Sequence, residues 1–296
     1  MKTILITGSR GFTGSYVASL FRDNGYHVIG VVRGNPTKNE VECDLTNKGS
    51  VYEMVQKTKP DGVIHLAALS FVGHEDQSAF YKVNIFGALN ILDALDKEGL
   101  NPDKLIFASS ANIYGNPTVD KISEDTPPEP VNHYASSKLS MEFMVKTWFT
   151  KYPIIITRPF NYTGVGQDEK FLIPKIVNHY KDNKKIIELG NLDVARDFSD
   201  VRDIAQAYLK LFESEVSSEI VNLSSGHVYQ LQEIINMMNE IAGYSIKVVV
   251  NPGFVRKNEI KVLKGVNDKL VKLTGYAQQY DFKETLLAMY NEKNSN

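Results

Sequence analysis

The sequence predicts an α/β fold, a doubly wound parallel sheet with a smaller, mostly C-terminal α/β part. Three observations carry this. Short apolar runs of β type alternate with amphipathic segments through the first 160 residues. The runs lack a polar alternation, as expected of strands buried on both faces. A glycine cluster joins the first run to the first amphipathic segment. Alternation of this kind calls for helices on both sides of the sheet and right-handed crossovers.

The elements follow in order. TILIT (3–7) is the first strand and 13–24 the first helix; HVIGVV (27–32) is the second strand. VECDL reads as a short third strand in which Cys43 is a small core residue, followed by a helix over 47–58. Strands over 62–66, 104–109 and 153–158 then alternate with helices over 75–97 and 133–151. Past Phe160 the rhythm loosens into helices over 169–182 and 202–214, a strand over 220–223, and helices over 230–242 and 281–290. The expected division is 1–160 plus about 192–225 for the sheet part, and about 161–191 plus 226–296 for the second part.

Composition narrows the function classes. The chain has 296 residues, is 43% hydrophobic and 23% charged, and carries a net charge of −2. That is a globular composition with no global attraction to nucleic acid or an anionic membrane. The single cysteine rules out a disulfide within the chain and fits a reducing compartment. The apolar stretch in MKTILITG is too short for a signal peptide or membrane span, so a cytoplasmic protein is expected. The histidines show no metal-type spacing with each other or with Cys43, so no metal is expected.

The glycine cluster is TGSRGFTG (7–14), with Gly8, Gly11 and Gly14 spaced G-x-x-G-x-x-G between a strand and a helix. The first permits the turn, the second lets backbone approach a pyrophosphate, and the third lets helix and strand pack closely. The helix N-terminus offers N–H groups and partial positive charge to phosphates. Ser9, Arg10, Phe12 and Thr13 complete this dinucleotide turn. An acid at the end of the second strand would favour NAD. Arg33 stands there instead, and with Arg10 it suits a 2′-phosphate, hence NADP(H). Asp44 and Leu45 follow the third strand and are expected to line the adenine site.

HYASSKLSMEFM (133–144) places Tyr134 and Lys138 four residues apart on one helix face. A phenol, with a reference pKa of ~10, is a poor base near neutral pH. A neighbouring ammonium is expected to pull that value down. Such a pair exchanges a proton with a sugar hydroxyl or carbonyl while hydride moves to or from a nicotinamide. Upstream, SSANIYG puts Ser110 at the C-terminal end of the strand LIFAS, where its hydroxyl holds the reacting oxygen.

Together TGSRGFTG, SSANIYG, YASSK and RPFNYTG, in this order and spacing, resemble the extended short-chain dehydrogenase/reductase family. More narrowly, they resemble its nucleotide-sugar epimerases, dehydratases and ketoreductases, and the likeness spans nearly the whole chain. It implies a Rossmann-like cofactor domain and a nucleotide-sugar domain. Ser110, Tyr134 and Lys138 become the catalytic residues, with Lys138 also bonding the nicotinamide ribose. Leu66, Ala67 and Ala68 in HLAALS match the loop that passes the cofactor, and Asn84 matches the asparagine of NxxG. Ser109, Pro159 and Phe160 fall beside the nicotinamide.

On the substrate side, LGNLDVARDFSDVRD resembles a segment in which an arginine, here Arg196, meets the diphosphate. RKNEIKVLKGVNDKLVKLTGY resembles the RPxE…G…K segment of the branch holding GDP-mannose dehydratases and GDP-6-deoxy-4-ketohexose reductases. Arg256 is then a second diphosphate clamp and Glu259 a ribose contact. Asn161 and Lys175 are further contacts to the nucleotide or its phosphates. His74, in SFVGHEDQ, is placed to reach the sugar, as is Asn112 beside Ser110. The family also implies a homodimer through a four-helix bundle built from 75–97 and 133–151.

Two departures matter. RPxE reads RKNE here, so the resemblance does not fix that loop's conformation. Dehydratases carry an acid just after the catalytic Ser/Thr to expel the 6-hydroxyl, whereas this chain has Ala111 and Asn112. What remains is reduction of a 4-keto sugar or 4-epimerisation; a 4,6-dehydratase and a non-turnover NADP(H) sensor are less favoured. Arginines that suit NADPH favour a 4-ketoreductase acting on a nucleoside-diphospho-4-keto-6-deoxysugar for surface polysaccharide. In it the pro-S hydride of NADPH, by family resemblance, attacks C4 while Tyr134 donates the proton.

Overall fold

The computed structural model describes residues 1–70, 76–255 and 261–292. β1 (Thr3–Thr7) leads through α1 (Phe12–Asp23) to β2 (His27–Val32), β3 (Glu40–Glu42), α2 (Lys48–Thr58) and β4 (Gly62–His65). α3 (Gln77–Tyr81) runs through a π turn into α4 (Gly87–Lys97), followed by β5 (Lys104–Ala108), α5 (His133–Lys146) and β6 (Ile154–Pro159). Next come β7 (Asn161–Thr163), α6 (Leu172–Lys181), β8 (Ile186–Leu189), β9 (Ala195–Asp200), α7 (Val201–Glu213) and β10 (Glu219–Leu223). The C-terminal part holds β11 (Val228–Gln230), α8 (Leu231–Ala242), β12 (Lys247–Val250), β13 (Val262–Leu263), α9 (Asp268–Thr274) and α10 (Phe282–Asn291).

Seven strands form a parallel sheet in the order β10-β6-β5-β4-β1-β2-β3. The continuous apolar runs split by the pleat, because successive side chains point to opposite faces. Ile4, Ile6, Ile64, Ile106 and Ile155 face one core with Phe21 of α1 and Tyr208 and Phe212 of α7. Leu5, Val63, Leu105, Ile154 and Ile156 face another with Leu92 of α4 and Met141 of α5. Each fully buried aliphatic side chain contributes ~1.5–3 kcal/mol. Cys43, one residue past β3, is 2% exposed and joins the second core.

The register aligns Thr7 with His65, His65 with Phe107, and Ala108 with Thr157. The loops leaving β1, β4, β5 and β6 therefore open along one edge. Strand order reverses between β1 and β4, which creates a crevice at that edge.

The second part has its own sheet, β11-β9-β13 with β7 on β9, and a two-stranded pair, β12-β8. Its core is α6, α8 and α10, through Ile176, Tyr180, Ile235, Met238 and Leu286. β9 pairs in the second sheet, and α7, which follows it from Val201, packs on the large one. Asp200 marks the crossing. Its carboxylate accepts from the Arg202 amide at the start of α7 and from the Thr285 hydroxyl of α10, both at 2.7 Å. The helix expected over 133–151 stops at Lys146 and continues as tight turns, with Trp148 N donating to Val145 O and Phe149 N to Lys146 O.

Candidate active site

The first turn is as tight as its glycines imply. Gly8 has φ +71°, and a Cβ on Gly14 would stand 2.0 Å from Gly8 O. A Cβ on Gly8 would stand 3.0 Å from Ala67 N, so the turns after β1 and β4 touch. No side chain caps the N-terminus of α1, and no acid lies in its first turn. The buried Ser9 hydroxyl has no partner. Uncapped N–H groups, an orphan hydroxyl and a glycine cradle fit a pyrophosphate. The Thr13 hydroxyl lies 2.7 Å from the Tyr162 hydroxyl, and the Phe12 ring stacks on the Tyr162 ring at 6.1 Å. Those two side chains join β7, leaving their backbone to face a phosphate.

Beyond the ends of β2 and β3 lies a cavity of about 450 Å³ lined by Arg33, Cys43, Asp44, Thr46 and Lys82, among others. It has the size and place for the adenosine half of a dinucleotide. Asp44 is locked in a turn, accepting from Thr46 N at 2.9 Å and the Thr46 hydroxyl at 2.8 Å, which holds its carboxyl below the usual range. Leu45 is half-buried against the core, its carbonyl accepting from Asn90 at 2.8 Å. Arg33 is exposed at the rim. Arg10 is engaged with Glu40.

At the other end of the crevice stands the set expected to be catalytic. Leu66, Ala67 and Ala68 are half-buried along it, with Ala67 N donating to the Thr7 hydroxyl at 3.0 Å. Asn84, fully buried, clamps this loop to α5: its Oδ1 accepts from Leu69 N at 2.9 Å and its Nδ2 donates to the Ser137 hydroxyl at 2.9 Å. It acts by holding the loop. Ser109 keeps an unpartnered buried hydroxyl, a second orphan beside the expected nicotinamide. Pro159 closes β6 half-buried, and Phe160 packs beneath the catalytic turn with Tyr114 and Leu263.

The three residues expected to be catalytic lie at the end of β5 and the start of α5. The Ser110 hydroxyl stands beside the Tyr134 phenol and favours its ionised form. The Lys138 ammonium donates to Ala108 O at 2.7 Å. The sequence led us to expect a depressed phenol, but burial overrides that: Tyr134 is pushed up to about 12, with Ser110 opposing the rise. Burial also draws Lys138 down to about 8, with Glu142 opposing. The phenol is therefore protonated at neutral pH, as a proton donor must be.

The substrate-side residues are less gathered. Asn112 is half-buried, its backbone N–H donating to the Ser110 hydroxyl at 3.2 Å. Asn161 opens β7, paired with Phe198, two residues along β9 from Arg196. The Arg196 guanidinium donates to Ala195 O at 3.0 Å and Lys261 O at 3.2 Å. Lys175 sits 4.3 Å from the Phe254 ring centre and donates to Glu188 O at 2.9 Å. His74, Arg256 and Glu259 lie outside the described residues.

Sequence reasoning missed the buried frame behind these groups. Arg158 grips Glu142 through Nε at 3.0 Å and Nη2 at 2.7 Å. Its Nη1 donates to the Tyr114 hydroxyl at 2.9 Å, which donates on to Asn222 at 2.7 Å. Tyr134, Lys138 and Glu142 share a face of α5, so this frame anchors the catalytic face to β6 and the turn after Ser110. The signal available was the i, i+4 spacing of Lys138 and Glu142.

A doubly wound sheet with this loop, hydroxyl, tyrosine and lysine defines an extended short-chain dehydrogenase/reductase. The family profile described as GDP-mannose 4,6 dehydratase matches residues 5–289. The chain belongs to that family. It is 36% identical over 294 residues to a GDP-6-deoxy-D-talose 4-dehydrogenase from Aggregatibacter actinomycetemcomitans, covering 98% of this chain and 97% of that one. The structure of RMD from Pseudomonas aeruginosa complexed with NADPH matches with a TM-score of 0.87 at 27% identity, covering 98% of both chains. A UDP-glucose 4-epimerase from Thermotoga maritima, solved with UDP-glucose, matches with a TM-score of 0.89 at 25% identity over 97% of both. No helix among the described residues is long and apolar enough to cross a membrane.

Proposed function

We propose that the protein is an NADPH-dependent reductase of the C4 ketone of a nucleoside-diphospho-4-keto-6-deoxyhexose, with guanosine as the nucleoside. The observation that carries the reading is the catalytic turn. Ser110 stands beside a protonated Tyr134 there, and the adjacent positions are the buried Ala111 and the uncharged Asn112. Neither can expel a 6-hydroxyl as water. The talose dehydrogenase named above acts at C4 of a GDP-6-deoxyhexose by its name, and the Pseudomonas structure holds NADPH; both support the reading.

A bound reduced nicotinamide supplies hydride to C4. The Ser110 and Tyr134 hydroxyls donate hydrogen bonds to the C4 oxygen, fixing its position and stabilising the charge that develops on it. Tyr134 then transfers its proton to that oxygen and is left as a phenolate. The Lys138 ammonium stabilises this anion within a buried site, where charge pairs act strongly. Arg196 and Lys175 hold the diphosphate end, with Arg256, Glu259 and His74 as further contacts. α5 exposes Phe143 and Met144, Phe86 is exposed just before α4, and we assign these apolar side chains to a homodimeric four-helix bundle.

The test is loss of NADPH absorbance on adding a GDP-4-keto-6-deoxyhexose. Turnover yielding one 4-hydroxy sugar per NADPH is expected. No oxidation, with stoichiometric NAD⁺ released on denaturation, would assign a 4-epimerase instead.

A further inference from the structure

The sequence offers Arg10 as a second cation for a 2′-phosphate, but the structure commits its guanidinium elsewhere. Arginine has five N–H donors. Nε donates to Glu40 Oε1 at 2.9 Å, and Nη2 donates to Glu40 Oε2 at 2.6 Å and Asn35 O at 2.7 Å. Nη1 reaches Gly34 O at 3.4 Å. Four of the five are spent. Glu40 is equally occupied, since Oε2 also accepts from Thr37 N and the Thr37 hydroxyl, each at 2.8 Å.

The carbonyls that Arg10 holds belong to a segment that needs holding. Gly34 has φ +146° and Asn35 φ +47°, both in the positive region that side chains disfavour. Arg33 immediately precedes them, on the rim of the adenosine cavity. Arg10 itself sits between Gly8 and Gly11. Arg10 thus ties the pyrophosphate turn to β3 through Glu40 and to the segment after Arg33 through two carbonyls.

We propose that Arg10 and Glu40 form a brace that positions Arg33, and that Arg33, not Arg10, reads the 2′-phosphate. This rests on the NADPH reading above. Glu40, an acid near a phosphate site, then favours NADPH rather than opposing it. The guanidinium beside it holds the Glu40 carboxyl down at about 2, so the brace is charged throughout the working pH range.

The test measures Kd for NADPH and NADH by calorimetry on the full chain, as wild type, R33A, R10A, E40Q and R10A/R33A. The readout is the NADPH preference, the ratio of the two Kd values, which a general loss of stability would not change. R33A should abolish the preference. R10A and E40Q should each reduce it about tenfold, or 1.4 kcal/mol. R10A/R33A should match R33A. Faster amide hydrogen exchange over 33–37 is expected in cofactor-free R10A and E40Q. A rise in preference for E40Q would mean that Arg10 reads the phosphate against a competing Glu40, and additive losses in the double variant would mean two independent readers; either overturns the brace. A wild type without NADPH preference would overturn the cofactor reading itself, and Arg33's role with it.

Discussion

Replacing Glu142 with glutamine tests the frame behind the catalytic residues through two readouts. Glu142 and Arg158 are both buried and joined by two charge-assisted hydrogen bonds. The amide introduced by E142Q keeps one acceptor oxygen and leaves the guanidinium uncompensated. Breaking a buried pair from one side costs ~3–5 kcal/mol, and the retained acceptor sets the expectation at the lower end, about 3 kcal/mol. At roughly 2–4 °C per kcal/mol the melting temperature should fall by about 6 °C or more. The second readout is the pH profile. Burial lowers the Lys138 pKa to about 8 against the opposing pull of Glu142. Removing that carboxylate lowers it further, so the ammonium is lost at a lower pH. The alkaline fall in kcat, expected near pH 8 in the wild type, should shift to lower pH in E142Q. Differential scanning calorimetry and a kcat profile from pH 6 to about 9.5 check both. A melting temperature within about 1 °C of wild type, with an unmoved alkaline limb, would refute the frame. The paired change E142L/R158M should recover most of the stability, because a well-packed apolar pair can replace a buried ion pair.

Other substitutions separate the remaining roles. Tyr134→Phe should lower kcat by about 10²–10⁴ while NADPH affinity by calorimetry stays within about twofold; full activity would remove Tyr134 as proton donor. Gly14→Ala places a methyl 2.0 Å from Gly8 O, so the turn must open, and NADPH Kd should rise more than about tenfold with the fold retained by circular dichroism. Ile106→Ala empties a fully buried site at the sheet centre and should cost ~2–5 kcal/mol in urea unfolding. Phe143→Asp puts a charge on the exposed face of α5 and should convert the proposed dimer to a monomer by light scattering; a dimeric mass in the variant would place the interface elsewhere, and a monomeric wild type would remove it.

The large sheet was legible because its strands are continuous apolar runs, a signal that needs no knowledge of partners. The second sheet was not. β9 is ARDFSD, and Asp197, Ser199 and Asp200 in it are buried. Polar residues read as surface until their partners are known. Asp197 accepts from Ser225 N at 2.9 Å and Gly226 N at 2.9 Å, nearly thirty residues on. The same limit applies to Arg10, whose charge was plain but whose partner Glu40 lies 30 residues away. Ser110, Tyr134 and Lys138 stood out in the sequence through short motifs in a fixed order, and their catalytic roles rest on the reading proposed above. Their ionisation was not legible there, because burial of the phenol depends on what α3 and β7 bring over it: Phe80 packs 6.2 Å from its ring, and Tyr162 further raises its pKa.

Asp200 carries a consequence for how the molecule comes apart. One carboxylate caps the helix that lies on the large sheet, ends a strand of the small one and holds the hydroxyl of Thr285 in the last helix. Asp203, one turn on, accepts from the amides of Gln279 and Tyr280 at 2.9 and 3.1 Å. The C-terminal segment is thereby stitched to the large layer rather than appended to it. Heating should give a single cooperative transition rather than two. A chain cut before the last helix should lose the integrity of the cofactor crevice along with the substrate side.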